Sequence, residues 1–75
     1  MPFIHVYAYS GRDMEVKKKA AQAMVKAAAE AMGAPESVFT VVYQDVEKEN
    51  WESEIAKPIV EPLRNKMLIE QGKLL

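Results

Sequence analysis

Three residues of this sequence are of types that can do chemistry together: Pro2, Arg12 and Trp51. Pro2 stands directly behind Met1 in "MPFIHVYAYSGRD". While Met1 is attached, the Pro2 nitrogen is an amide with no proton and no basicity. Removal of Met1 turns it into a secondary amine at the rigid start of a strand. A free α-amino group titrates at about 7.7–8.0. Apolar surroundings and a nearby cation both disfavour its charged form, and a general base works best with a pKa near the working pH. Phe3 and Trp51 are the candidate apolar wall, and Arg12 is the candidate cation. Arg12 also lies just before a helix start, where unpaired N–H groups and the helix dipole favour anions. Its guanidinium can hold a carboxylate through two hydrogen bonds. Taken singly, each has a plainer reading: a strand-starting proline, a solvated loop arginine, and a core tryptophan anchoring a helix.

Composition narrows the alternatives. The chain has 75 residues, no cysteine and one histidine, His5. Thiolate chemistry and disulfides are excluded, and a histidine-rich metal site is not expected. Lys plus Arg number 10 against 11 Asp plus Glu, so there is no basic footprint for nucleic acid. No apolar run approaches membrane-spanning length, and the start lacks a secretory signal pattern. A cytoplasmic protein is expected. The hydrophobic fraction is 49%, more than so short a chain can hide in one protomer. Small domains of this kind add burial by oligomerising.

The elements that must carry these residues are legible. "FIHVYAY", residues 3–9, is rich in β-branched and aromatic types and reads as a strand covered on both faces. Gly11 permits a turn and Asp13 is a good N-cap for a helix over 14–32. Val16, Ala20, Met24, Ala27, Ala28 and Ala31 form its expected apolar stripe, and Lys19, Gln22, Lys26 and Glu30 the wet one. Lys17–Lys19 read as a solvated face. Gly33 suits a left-handed cap and Pro35 prevents continuation. A second strand is expected over 38–46, parallel to the first through a right-handed crossover. Ile55, Ile59, Leu63 and Met67 predict a helix over about 52–65, kinked near Pro58. The tail "LIEQGKLL" is read as a segment able to cross onto another subunit. His5 reads as a strand residue facing a partner, and Glu52 and Glu54 as surface carboxylates of a type that can activate water.

Taken in order, these parts resemble the 4-oxalocrotonate tautomerase family of the tautomerase superfamily. The matching pieces are "MP" before an apolar strand, "GRD" about ten residues on, an alanine-rich helix ending "MGAP", then "VFTVVYQDV" and "EKENW". The resemblance covers about residues 1–51 without a gap. It implies a cofactor-free enzyme in which Pro2 acts as general base and then acid, moving a proton between a carbon and an enol oxygen. It implies that Arg12, from another subunit, holds the carboxylate of a small-molecule substrate. Trp51 supplies an apolar wall, and Phe3 and Tyr9 match pocket-lining positions.

Two departures shape the expectation. The usual second arginine falls on Thr40, which can donate a hydrogen bond but cannot neutralise enolate charge. That favours a monocarboxylate enol such as phenylenolpyruvate over a dicarboxylate. The glycine-rich hairpin that usually follows the aromatic is replaced by "ESEIAKPIVEPLRNKMLIEQGKLL", which looks like the helical C-terminus of the phenylpyruvate-tautomerase-like subgroup. That subgroup is dimeric and its shorter relatives hexameric, so a dimer is favoured. The expected fold is α/β (α+β): one domain over 1–75, a β-α-β protomer with a C-terminal helix, assembled into a homo-oligomer. Two rival readings are a non-catalytic oligomeric binding module on this fold and a hydratase or dehalogenase-like activity. The second needs a water-activating carboxylate, and Glu52 is offset from the family position by one residue.

Overall fold

The computed structural model describes all 75 residues. Strand β1 (Phe3–Tyr9) and strand β2 (Thr40–Val46) pair in parallel, from Phe3 beside Thr40 to Tyr9 beside Val46. Helix α1 (Met14–Met32) makes the crossover between them. The β-α-β order and the bounds of β1 and α1 are as the sequence predicts. Strand β2 starts at Thr40 and not at residue 38, because Glu36–Val38 closes a 3-10 turn behind Pro35.

Both ends of α1 follow from single residues. Asp13 is extended and its carboxylate accepts from the Val16 N–H at 3.0 Å. Gly33 has φ 68° and ψ 37°, and its N–H donates to the Ala29 carbonyl. This left-handed conformation is one that glycine adopts without a Cβ penalty.

The packing face of α1 is Lys17, Ala20, Ala21, Met24, Val25, Ala28 and Ala29, all half-buried or buried. The expected stripe is therefore rotated, since Val16, Ala27 and Ala31 are exposed. Alanines on nearly every side of the helix leave the hydrophobic pattern without a clear phase. Lys17 is likewise not part of a solvated face. Its side chain is 13% exposed and forms an ion pair with Asp45 of β2, while its ammonium lies 5.7 Å from the centre of the Tyr43 ring.

Because Lys17 of α1 reaches Tyr43 and Asp45, the helix covers the sheet face that also holds Ile4, Val6 and Ala8. The other face carries Phe3, His5, Tyr7 and Tyr9 beside Thr40, Val42, Gln44 and Val46. It is largely open in the protomer, and the expectation of a strand covered on both sides holds for one face of the single chain.

After β2, a 3-10 turn (Lys48–Asn50) leads through Trp51 into a π-helix (Glu52–Val60) and a 3-10 helix (Glu61–Lys66). The expected helix is present but not as a regular α-helix. Pro58 has no N–H and its ring crowds the carbonyl four residues back. Widening the turn accommodates it, and the Glu61 N–H reaches the Ala56 carbonyl, five residues back. The tail then forms a hairpin, β3 (Ile69–Glu70) and β4 (Lys73–Leu74), across a turn with Gln71 at φ 48° and Gly72 at φ 81°. Two positive φ values are what a two-residue hairpin turn needs. The sequence reading has the helical segment replace a hairpin; a short one is present beyond that segment, turning at "QG" between Glu70 and Lys73.

The core is small. Only Ala29, Val46 and Ile55 are buried. The radius of gyration is 13.7 Å, against about 11 Å for a compact domain of this length. No helix is long and apolar enough to cross a membrane.

Candidate active site

The candidate residues fall into two groups at opposite ends of the β1–β2 pair. At the N-terminal end lie Pro2, Phe3 and Thr40. The half-buried Pro2 opens the ladder, its carbonyl accepting from the Thr40 N–H at 3.2 Å. Phe3 and Thr40 sit side by side on the open face, both exposed. Met1 projects outward and is 97% exposed.

At the C-terminal end lie Tyr9, Arg12 and Trp51. The Trp51 and Tyr9 rings meet edge to face, with centroids 5.2 Å apart and planes at 88°. Gly11, at φ 131°, turns the chain after β1, and the Arg12 Nη1 donates back to the Tyr9 carbonyl at 3.3 Å. Arg12 is exposed and makes no ion pair within the chain. The start of this loop is fixed from β2: the Ser10 N–H donates to the Val46 carbonyl at 3.1 Å, and the Ser10 hydroxyl donates to Glu47 at 3.0 Å.

Strand geometry separates the two groups. Seven steps along β1 at about 3.3 Å each put roughly 23 Å between Pro2 and Tyr9. Within one protomer, Arg12 and Trp51 therefore cannot touch a substrate held at Pro2, nor can Trp51 wall its amine. Phe3 alone of the candidate wall lies at the Pro2 end. Each end holds half of the expected constellation.

Between the two ends, on the open face of the pair, runs a row that alternation along the first strand already places together. His5 stacks on Tyr7, with centroids 4.2 Å apart and planes at 17°, and meets Phe3 edge-on at 6.0 Å. The His5 Nε2 lies 2.9 Å from the Gln44 Oε1. Period-two alternation puts these residues on one face, and parallel register adds Gln44. Glu52 and Glu54 are exposed and unpaired, beside Trp51 and remote from Pro2.

Comparison with known proteins bears on this arrangement. The sequence profile of the family described as "Tautomerase enzyme" matches residues 2–54. That span begins at Pro2 and includes Phe3, Tyr9, Arg12, Thr40 and Trp51; most of the π-helix and the whole hairpin lie beyond it. A 2-hydroxymuconate tautomerase of Comamonas testosteroni is 43% identical over 51 residues, which is 68% of this chain and 81% of the relative. A protein of the same name from Pseudomonas putida is 41% identical over 51 residues, with the same shares. The order of the matched elements, the β-α-β fold and these identities agree: the chain belongs to the 4-oxalocrotonate tautomerase family of the tautomerases and is a keto–enol isomerase.

Proposed function

We propose that this isomerase acts on a 2-oxo or 2-hydroxy-alkenoate acid without a cofactor, using the Pro2 amine after loss of Met1. The observation that carries the reading is the division of the candidate residues between the two ends of β1. One end offers a nitrogen base, and the other offers a carboxylate-binding guanidinium and an aromatic wall. Joining them requires a second subunit laid against the first, so the enzyme is a homo-oligomer with sites between protomers. A dimer is favoured by the helical segment after Trp51. The work is done in the cytoplasm on a freely diffusing small molecule.

In the enol-to-keto direction, the Pro2 lone pair takes the proton of the 2-hydroxyl. Charge passes onto the conjugated oxygen and carbon, and the resulting ammonium returns its proton to carbon. Arg12 of the neighbouring subunit holds the carboxylate through two N–H groups and keeps the plane of the substrate fixed. Trp51 and Tyr9 of that subunit, with Phe3, exclude water and raise the cost of a charged amine. Thr40 lies beside Phe3 and offers a hydroxyl where the family has an arginine. It has no positive charge for a second carboxylate, which favours a monocarboxylate enol.

The test is ketonisation of phenylenolpyruvate, followed by ultraviolet absorbance, with protein shown by intact mass to lack Met1. The expected result is a rate well above buffer that rises with pH as the amine loses its proton. Its midpoint is expected near pH 6–7, roughly a unit below the free-amine reference. Protein that retains Met1 is expected to be inactive. Equal rates with and without Met1 would sink the proline mechanism. No acceleration by either form would remove this substrate class.

A further inference from the structure

Arg12 and Trp51 stand on separate stretches of chain, and one side-chain pair joins those stretches. Arg12 lies in the loop between β1 and α1. Trp51 follows the 3-10 turn Lys48–Asn50 after β2. The Ser10 hydroxyl donates to the Glu47 carboxylate at 3.0 Å, across 37 residues of sequence. Glu47 also opens the turn before Trp51, its carbonyl accepting from the Asn50 N–H at 2.9 Å. Its side chain therefore holds the Arg12 loop while its backbone starts the turn that carries Trp51. Glu47 makes no ion pair within the chain, so its carboxylate is committed to Ser10.

The loop needs such a tie. Gly11, between Ser10 and Arg12, has φ 131°, and a Cβ there would meet nothing within 4 Å. Its backbone is limited by neither a side chain nor a neighbour. On the far side, Asp13 is fixed to α1: its carboxylate accepts from the Val16 N–H at 3.0 Å and its carbonyl from the Lys17 N–H at 3.1 Å. On the near side, only Ser10 fixes the loop to β2, through its N–H on the Val46 carbonyl and its hydroxyl on Glu47. Val46 is buried, which makes this end of β2 a firm base. Arg12 itself adds one 3.3 Å bond to the Tyr9 carbonyl. A hydrogen bond to an ionised acceptor is roughly twice as strong as a neutral one. Apparent affinity rises with the fraction of time that a binding group spends in its competent arrangement.

We propose that Glu47, acting through the Ser10 hydroxyl, is a positioning residue that sets Arg12 against Trp51 and so tunes affinity for the substrate carboxylate. The inference rests on the reading of Arg12 as the group that holds that carboxylate. Pro2 lies at the other end of β1, so the tie acts on binding and takes no part in proton transfer.

Ser10→Ala and Glu47→Ala each delete the tie. In ketonisation of phenylenolpyruvate, each is expected to raise KM about 5-fold, the weight of one hydrogen bond, with kcat and the pH profile unchanged. The double variant is expected to match either single one, because all three lack the same bond. Ser10→Thr keeps the hydroxyl and Glu47→Gln keeps an acceptor oxygen, so both are expected to restore KM. An unchanged KM in either alanine variant, additive effects in the double variant, or a fall in kcat at constant KM overturns the proposal. Acrylamide quenching of Trp51, the single tryptophan of the chain, reads the same tie without turnover. Quenching is expected to rise in both alanine variants and to return in the Thr and Gln variants; unchanged quenching overturns the proposal. Arg12→Ala separates the two readings. It is expected to raise KM and leave Trp51 quenching as it was. If it leaves KM unchanged, the carboxylate-holding reading fails, and Trp51 quenching still decides whether the tie positions this end of the sheet.

Discussion

If Pro2 and Arg12 meet only across a subunit boundary, two inactive variants should rescue one another. Pro2→Leu puts a bulky residue behind Met1, so the methionine is retained and the nitrogen at position 2 stays an amide. Loss of a general base costs about 10²–10⁴ in rate. Arg12→Ala removes two charge-assisted hydrogen bonds worth about 1.5–3 kcal/mol each, and the loss of even one lowers kcat/KM by at least about 10-fold. The separation of about 23 Å along β1 means that no protomer can complete its own site. When the two variants are unfolded together at equal concentration and refolded, each site draws its proline and its arginine from different chains. Random association makes roughly a quarter of the sites wild type in both respects, whether the assembly is a dimer or larger. Ketonisation by the co-refolded mixture is therefore expected to reach about a quarter of the wild-type rate. The control is the same two variants refolded apart and then combined. Co-refolded activity no higher than that control, with mixed oligomers demonstrated by mass, would refute the shared site.

Two further outcomes follow from single contacts. Asp13→Ala removes the carboxylate that accepts from the Val16 N–H; urea denaturation should show a loss of about 1 kcal/mol, and an unchanged midpoint would show that this cap contributes nothing. Thr40→Arg leaves the backbone bond from Thr40 to the Pro2 carbonyl intact and adds the missing cation beside the base. Turnover of a dicarboxylate dienol should rise about 100-fold, and no gain would mean that position 40 does not face the reacting substrate.

The sequence by itself determined the β-α-β frame. Asp13, Gly33 and Pro35 are local signals whose effect reaches only a turn, and they mark the ends of α1 within a residue. The β-branched and aromatic run at residues 3–9 marks β1 just as directly. The same local reading identified Pro2, Arg12 and Trp51 by type, and the family profile includes all three. It could not orient α1, because alanine on every side gives no phase, and only the packing against β2 selected the face with Lys17, Ala21 and Val25. It misread Lys17 because its partners, Asp45 and Tyr43, lie on another strand. It anticipated a break near Pro58 but not the form, since a π-helical widening depends on where the freed carbonyl can find a donor. Only tertiary structure decided that the candidate residues stand at opposite ends of one strand. Spacing along the chain fixes which residues share a face, but the length of β1 turns that spacing into a distance. That distance keeps Pro2 apart from Arg12 and Trp51 within one chain.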